Sequence, residues 1–261
     1  MHSIAYDEVH DEIFVTQPFS EAILAFRGGA NGEEAPIRVI QGPLTQIHNY
    51  VDQLAIDPVH NELFVPAGYP DPNRVLVFSR DANGNVAPIR ILEGPDALRG
   101  VSTVAVDPVH DLLLASGKTA DGAQGVMIFD RTAQGNAKPR GVISGLKAIG
   151  GGGRIFAYPP KGEIIVIGNG GGGGGAPSGG FGSELEMGNA REGFVSVWSI
   201  EDRGDVAPRR WKLGGPKDRM RNDPTDYGQI MGAGVDPKNK SVMISSKTFN
   251  AIFTYSFPEI F

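Results

Sequence analysis

"IAYDEVHDEIFV" (4–15), "LAIDPVHNELFV" (54–65) and "VAVDPVHDLLLA" (104–115) recur at a spacing of fifty residues. A repeat of this length decides the fold before any single element is assigned. Around each core motif lie four short runs separated by turn residues; in the second copy they are LAID, ELFVPA, RVLVFS and APIRILEG. Runs of about four to seven residues rich in Val, Ile, Leu and Phe have strand length and strand composition. Four such strands at this period make one blade of a β-propeller. A fourth copy is diluted: "IFAYPPKGEIIVIGN", a long insertion, then "FVSVWSIEDRGDVAPRRWKLGGP"; a fifth reads "AGVDPKNKSVMISSKTFNAIFTYSF".

The expectation is an all-β, single-domain propeller over 1–261, with five blades of four antiparallel strands and three strands in the last. The repeats run over 1–43, 44–95, 96–145, 146–215 (with a Gly-rich insertion at 168–193) and 216–261. A five-bladed ring and a piece of a longer propeller both fit this count. Strands are named A to D from the centre of the blade outward. Small residues on strand A (Ala5, Ala55, Ala105, Gly234, with Phe156 breaking the pattern) suit a crowded centre. Large aromatics on strand C (Phe26, Phe78, Phe129, Trp198, then Tyr255 or Phe257) should wedge between blades. Pro36, Pro88, Pro139 and Pro208 open strand D, where proline is tolerated. Arg38, Arg90 and Arg210 on strand D read as outer-edge charges that discourage pairing.

The DPVH segment sits between strands A and B. Its Asp and Pro have a local purpose there, capping of backbone N–H groups and a preset φ. A metal takes its ligands within about 2–2.5 Å of one point. His10, His60 and His110, on separate blades, are therefore read as parts of a duplicated turn and not as one ion site.

Composition narrows the function. A net charge of −6 with pI near 5.4 and no basic stripe argues against nucleic acid and anionic membrane. Cysteine is absent, which removes disulfide and thiol chemistry. No apolar run reaches the roughly 18 residues of a bilayer span, and "MHSIAYDEVHDEIFV" lacks the basic start and apolar stretch of a secretory signal. The reading is a soluble protein, cytoplasmic, or secreted or periplasmic with its signal removed; oligomeric state stays open.

The pattern D-P-x-x-x-x-L-F-V … V-x-V-F-x-R-x-A-x-G-N-x-x-P-x-R-x-I-x-G resembles the NHL/YVTN-type repeats of bacterial propellers, and it covers nearly the whole chain. The resemblance implies the architecture; such folds host binding modules, lactonases, lyases and scaffolds. Gluconolactonase-like propellers hold one divalent cation at the channel mouth with Glu, Asn and Asp. That pattern does not map here, because the first blade begins "MHSI" with no Glu. Asp52, Asn169 and Asp226 are the candidate oxygen donors for such an ion, Ca2+ or Zn2+.

The C–D turns are short and uniform, whereas the B–C and D–A loops vary, so the site is expected on the latter. "GPLTQIHNYVDQ" (42–53) supplies His48 as a candidate general base, with Asn49, Tyr50 and Asp52. Tyr69 joins Asn49 and Tyr50 as a ligand-binding candidate. The six-glycine run in the insertion lacks the G-K-[ST] and the strand–loop–helix context of a phosphate loop. "GGPKDRMRNDPTDYGQ" (214–229) concentrates Arg219, Arg221, Asp226 and Tyr227. Arg154, after a glycine run, is placed to clamp a carboxylate or to pair with Asp52. Two functions follow: a binding or scaffold protein for a small molecule or partner at this face, or a metal-assisted hydrolase, lactonase or lyase using His48, Arg154 and Asp52 there. An apolar patch at the loops favours the first, and polar groups converging on one point favour the second.

Overall fold

The computed structural model describes residues 3–48, 51–67, 73–119, 122–145, 147–148, 153–169, 193–213, 230–246 and 249–261. It contains four antiparallel four-stranded sheets and a last sheet of three strands. The chain is an all-β, five-bladed propeller.

The first blade is β1 (Ile4–Asp7), β2 (Glu12–Gln17), β3 (Ala22–Arg27) and β4 (Arg38–Gln41). The second is β5 (Ala55–Asp57), β6 (Glu62–Ala67), β7 (Arg74–Ser79) and β8 (Arg90–Glu93). The third is β9 (Arg99–Asp107), β10 (Leu112–Lys118), β11 (Gln124–Asp130) and β12 (Gly141–Ser144). The fourth is β13 (Arg154–Tyr158), β14 (Glu163–Asn169), β15 (Gly193–Ser199) and β16 (Arg209–Leu213). The fifth is β17 (Ile230–Asp236), β18 (Ser241–Ser246) and β19 (Ala251–Ser256). Contacts gather Met1–Gly141 and Val142–Phe261 into two compact units.

Strand B explains the apolar runs. In β6 every residue is buried, because both faces of the sheet are covered, so the strand reads as a run and not as an alternation. Pro66 lies in that central strand without breaking the inner ladder. β5 stops at Ala55 opposite Phe64, leaving no inner partner that needs an N–H from Pro66. At the matching place in the first blade Thr16 does donate its N–H, to the Ser3 carbonyl at 3.1 Å.

Register fixes the recurring aromatic as Phe26, Phe78, Phe129, Trp198 and Tyr255, each opposite the second residue of its strand B, so Tyr255 and not Phe257 completes the series. Phe78, Phe129 and Trp198 are buried, with the Trp198 indole N–H donating to the Val206 carbonyl at 3.0 Å. Ala55 and Ala105 are buried on strand A as expected, while Phe156 is half-buried.

The strand-D arginines are not the outward charges expected. Arg38 makes a two-pronged ion pair with Glu12, and Arg90 with Glu62 at 2.5 and 2.9 Å, each reaching across its own blade. Arg210 does not belong to this series. Val77 faces Arg90, but its counterpart Val197 faces Arg209, so the fourth blade's strand D is slipped by one residue. A slip of one reverses every side chain. Arg209 thereby pairs with Glu163, and Arg210 turns to the Ser196 hydroxyl at 2.8 Å and the Phe194 ring at 4.7 Å. Burial lowers the Arg210 pKa.

Candidate functional site

The A–B turns are fully engaged in structure. In each of the first three blades one Asp oxygen (Asp7, Asp57, Asp107) accepts the N–H groups two and three residues on at 3.0–3.1 Å. The other oxygen meets the histidine Nδ1 at 2.7–2.8 Å. The next residue, Asp11, Asn61 or Asp111, closes the turn with φ of 53–58°, a left-handed conformation that Asn and Asp tolerate. Asn239 replaces the histidine in the fifth blade and still caps onto Asp236; these bonds hold the Asp236 pKa low. Each histidine thus serves its own turn, as the sequence suggested.

The C–D loops of the second, third and fourth blades are equally engaged, in a way the sequence did not disclose. Gly84 donates its N–H to Val39 and accepts from Gln41, at 2.6 and 3.1 Å, adding itself to the outer edge of β4 in the preceding blade. Gly135 does the same to Ile91 and Glu93, and Gly204 to Val142 and Ser144. The residue after each glycine completes the clamp: Asn85 Oδ1 accepts from Leu44 N–H at 2.8 Å, and Asn136 from Asp96 at 3.0 Å. Asp205 accepts from Lys147 and Ala148. The clamp covers an edge strand that would otherwise invite foreign pairing. It also explains the glycine ending strand D: Gly94 has φ of 125°, and a Cβ there would lie 2.3 Å from Asn136 Oδ1. Asn85→Ala is expected to lower stability by about 1 kcal/mol, read as a shift in urea midpoint at unchanged slope.

The B–C and D–A loops carry what remains. His48, on the D–A loop after β4, lies 3.9 Å from Glu21 Oε1 on the B–C loop, both about half exposed. The Gln41 side-chain amide, at the end of β4, donates to the Ser20 carbonyl at 2.9 Å, tying strand D to the B–C loop. Arg74 at the start of β7 donates to Gln46 and stands 3.7 Å from Glu93. Phe19, at the tip of the B–C loop beside Glu21, is 95% exposed, and Leu44 on the D–A loop is exposed as well. Sequence reading missed Glu21 and Phe19; an aromatic between turn residues in "TQPFSEA" was the available signal.

Of the other candidates, Arg154 donates to the Met231 carbonyl at 2.6 Å, fastening the inner strands of the fourth and fifth blades. Asp52 is half-buried next to Gln53, which bridges to Thr103. Asn49, Tyr50, Tyr69, Arg219, Arg221, Asp226 and Tyr227 lie outside the described residues, as does the side chain of Asn169. Among the described residues no group of three or more His, Cys, Asp or Glu side chains could hold a metal ion. No helix among them is long and apolar enough to cross a membrane.

Solved structures share this architecture. The chain superposes on a Kuenenia stuttgartiensis hydrazine synthase chain with a TM-score of 0.61 at 15% identity, over 99% of its own length and 65% of the other's. The WD40 domain of Toxoplasma gondii coronin gives 0.53 at 13%, over 98% and 55%. The WD40 propeller of Doa1 gives 0.52 at 12%, over 98% and 68%. The fold is a β-propeller. The chain spans only 65% and 55% of the first two structures it matches. No protein-family model and no curated protein matches it.

Proposed function

We propose that this propeller, built from repeats of the NHL/YVTN kind, is a binding module. Its ligand or partner meets the loop-rich end of the first blade, where Phe19, His48 and Glu21 stand together. The observation that carries this reading is Phe19, an aromatic ring 95% exposed on a loop whose Ser20 carbonyl is held by the Gln41 side chain. Exposed aromatics with a polar partner nearby anchor protein interfaces more often than other residue types. The A–B turns of the first three blades and the C–D loops of the second to fourth support the same choice, since their polar groups are occupied by capping and clamping.

The test is selection of peptides that bind the full chain, with the affinity of each then measured on variants. Phe19→Ser should weaken the selected ligands by at least about tenfold, the loss of one buried anchor, and His48→Ala by less. Ligands indifferent to both substitutions, or metal-dependent lactone hydrolysis by the purified chain, would replace this reading with another.

A further inference from the structure

The inner strand of the third blade is longer than its counterparts. β9 runs for nine residues, whereas β1, β5 and β13 run for three to five. The added length passes through a bulge. Thr103 faces Ser116 and Arg99 faces Lys118, so Gly100, Val101 and Ser102 stand against Gly117 alone. Two glycines make this possible. Gly100 holds a left-handed φ of 57°, and its N–H donates to Asn73 Oδ1 at 2.6 Å. A Cβ on Gly117 would lie 2.8 Å from the Arg99 carbonyl oxygen. Bulges re-aim side chains near the ends of sheets. Here the result is Arg99 directly opposite Lys118. Opposed residues of an antiparallel pair share a face, with Cβ atoms about 4.5–5.5 Å apart. Both residues are exposed, and on its other side Lys118 faces the neutral Gln124. Among the described residues neither cation has a carboxylate in an ion pair with it. Like charges directly opposite each other weaken a sheet, a cost that a bound anion reverses.

We propose that Arg99 and Lys118 form a binding site for a phosphate monoester at the loop-rich end of the third blade. The charge of the ligand follows from the charge of the pair. A monoester brings close to two negative charges at neutral pH, one for each cation. The Arg99 guanidinium takes two phosphoryl oxygens side by side, and the Lys118 ammonium meets the third as a point charge. A carboxylate or a phosphate diester carries a single charge and leaves one cation unmatched. The bulge supplies the placement, since it sets the two side chains on one face at the rim where the B–C and D–A loops leave the sheet. This site lies on the third blade and Phe19 on the first, so it does not rest on the reading of the Phe19 loop.

The probes are methyl phosphate and dimethyl phosphate, titrated into the full chain by calorimetry, with the amide resonance of Gly100 reporting on the site. Methyl phosphate should saturate with Kd of about 1 mM or below, and the diester should bind at least about fivefold more weakly. Arg99→Gln and Lys118→Gln should each weaken methyl phosphate by about fivefold or more. Lys138→Gln, which alters an exposed lysine in the C–D loop of the same blade, should leave it unchanged. Without ligand, Lys118→Gln should raise Tm by about 2 °C, because it relieves the repulsion from Arg99; a lysine that merely supported the fold would lower it. A phosphoserine peptide identifies the source of the group. Tighter binding than methyl phosphate assigns a phosphorylated polypeptide to the site, and equal binding a small phosphate ester. No saturation up to about 20 mM methyl phosphate, equal binding of the diester, an equal loss in Lys138→Gln, or a lowered Tm in Lys118→Gln would each overturn the proposal.

Discussion

Glu62→Ala is expected to destabilise the protein by about 3 kcal/mol, the scale of removing one member of a buried ion network. The carboxylate joins two blades. It takes both Nη groups of Arg90 from its own strand D, and Arg131 Nη1 at 2.5 Å from the start of the next blade's C–D loop. Glu62 and Arg131 are both buried, so its loss takes the carboxylate from the half-buried Arg90 and leaves Arg131 with Asp111 and Asp57 alone. Burial alone would raise the Glu62 pKa, but Arg90 and then Arg131 outweigh it and hold the carboxyl below its ordinary value of 4.5. The folded state therefore binds the proton less readily than the unfolded chain. The contribution is complete above that value and lost as the pH falls through the lower, folded one. The stability gap between wild type and Glu62→Gln, measured by urea denaturation across the acid range, should narrow below about pH 4.5 and not above it. A gap that does not change at all as the pH falls below 4.5 would refute the network's role.

The third blade indicates how the penalty is avoided. Leu112 stands where Glu12 and Glu62 stand, and Ile200 where Arg80 and Arg131 stand, each making the same backbone bond to the A–B turn of its blade. The triple variant Glu62→Leu, Arg90→Met, Arg131→Ile should accordingly fall within about 1.5 kcal/mol of wild type, since well-packed apolar replacements of buried ion groups are often neutral.

The second large effect separates the two halves of the DPVH turn. Asp57→Ala should cost about 3 kcal/mol, because it abandons two backbone N–H groups and the His60 ring, and removes the negative charge 3.6 Å from Arg131 Nε. His60→Ala should cost less than about 1 kcal/mol, since its ring is a third exposed and, among the described residues, bonds to an Asp already held by backbone donors. Thermal or urea unfolding of the two variants decides the point. A histidine variant as damaging as the aspartate variant, or a stabilising response to Zn2+ that disappears with it, would contradict the capping account.

The turn was legible because its logic is local: Asp, Pro and a left-handed residue act within five positions, and sequence repeats them intact. Strand type and blade count were legible for a similar reason, since the apolar runs recur with the chain's own period. The strand-D arginines were misread because their partners lie far along the chain, Glu12 for Arg38 and Glu62 for Arg90, and no local pattern encodes a cross-blade reach. Arg210 was placed in the wrong series because a gapless alignment cannot show a one-residue slip in pairing. The candidate site was legible only as a choice of loops; Glu21 beside His48 required two loops of the first blade to be brought together.

By itself, then, the sequence determined that this protein repeats a four-stranded unit and that its A–B turns are structural, since both follow from periodicity and from bonds spanning a few residues. Tertiary structure alone decided that the C–D loops of the second to fourth blades bind the preceding blade's edge and that the buried Glu62 carboxylate links arginines from two blades. These are pairings between residues tens of positions apart, and only folding brings such groups within hydrogen-bond reach.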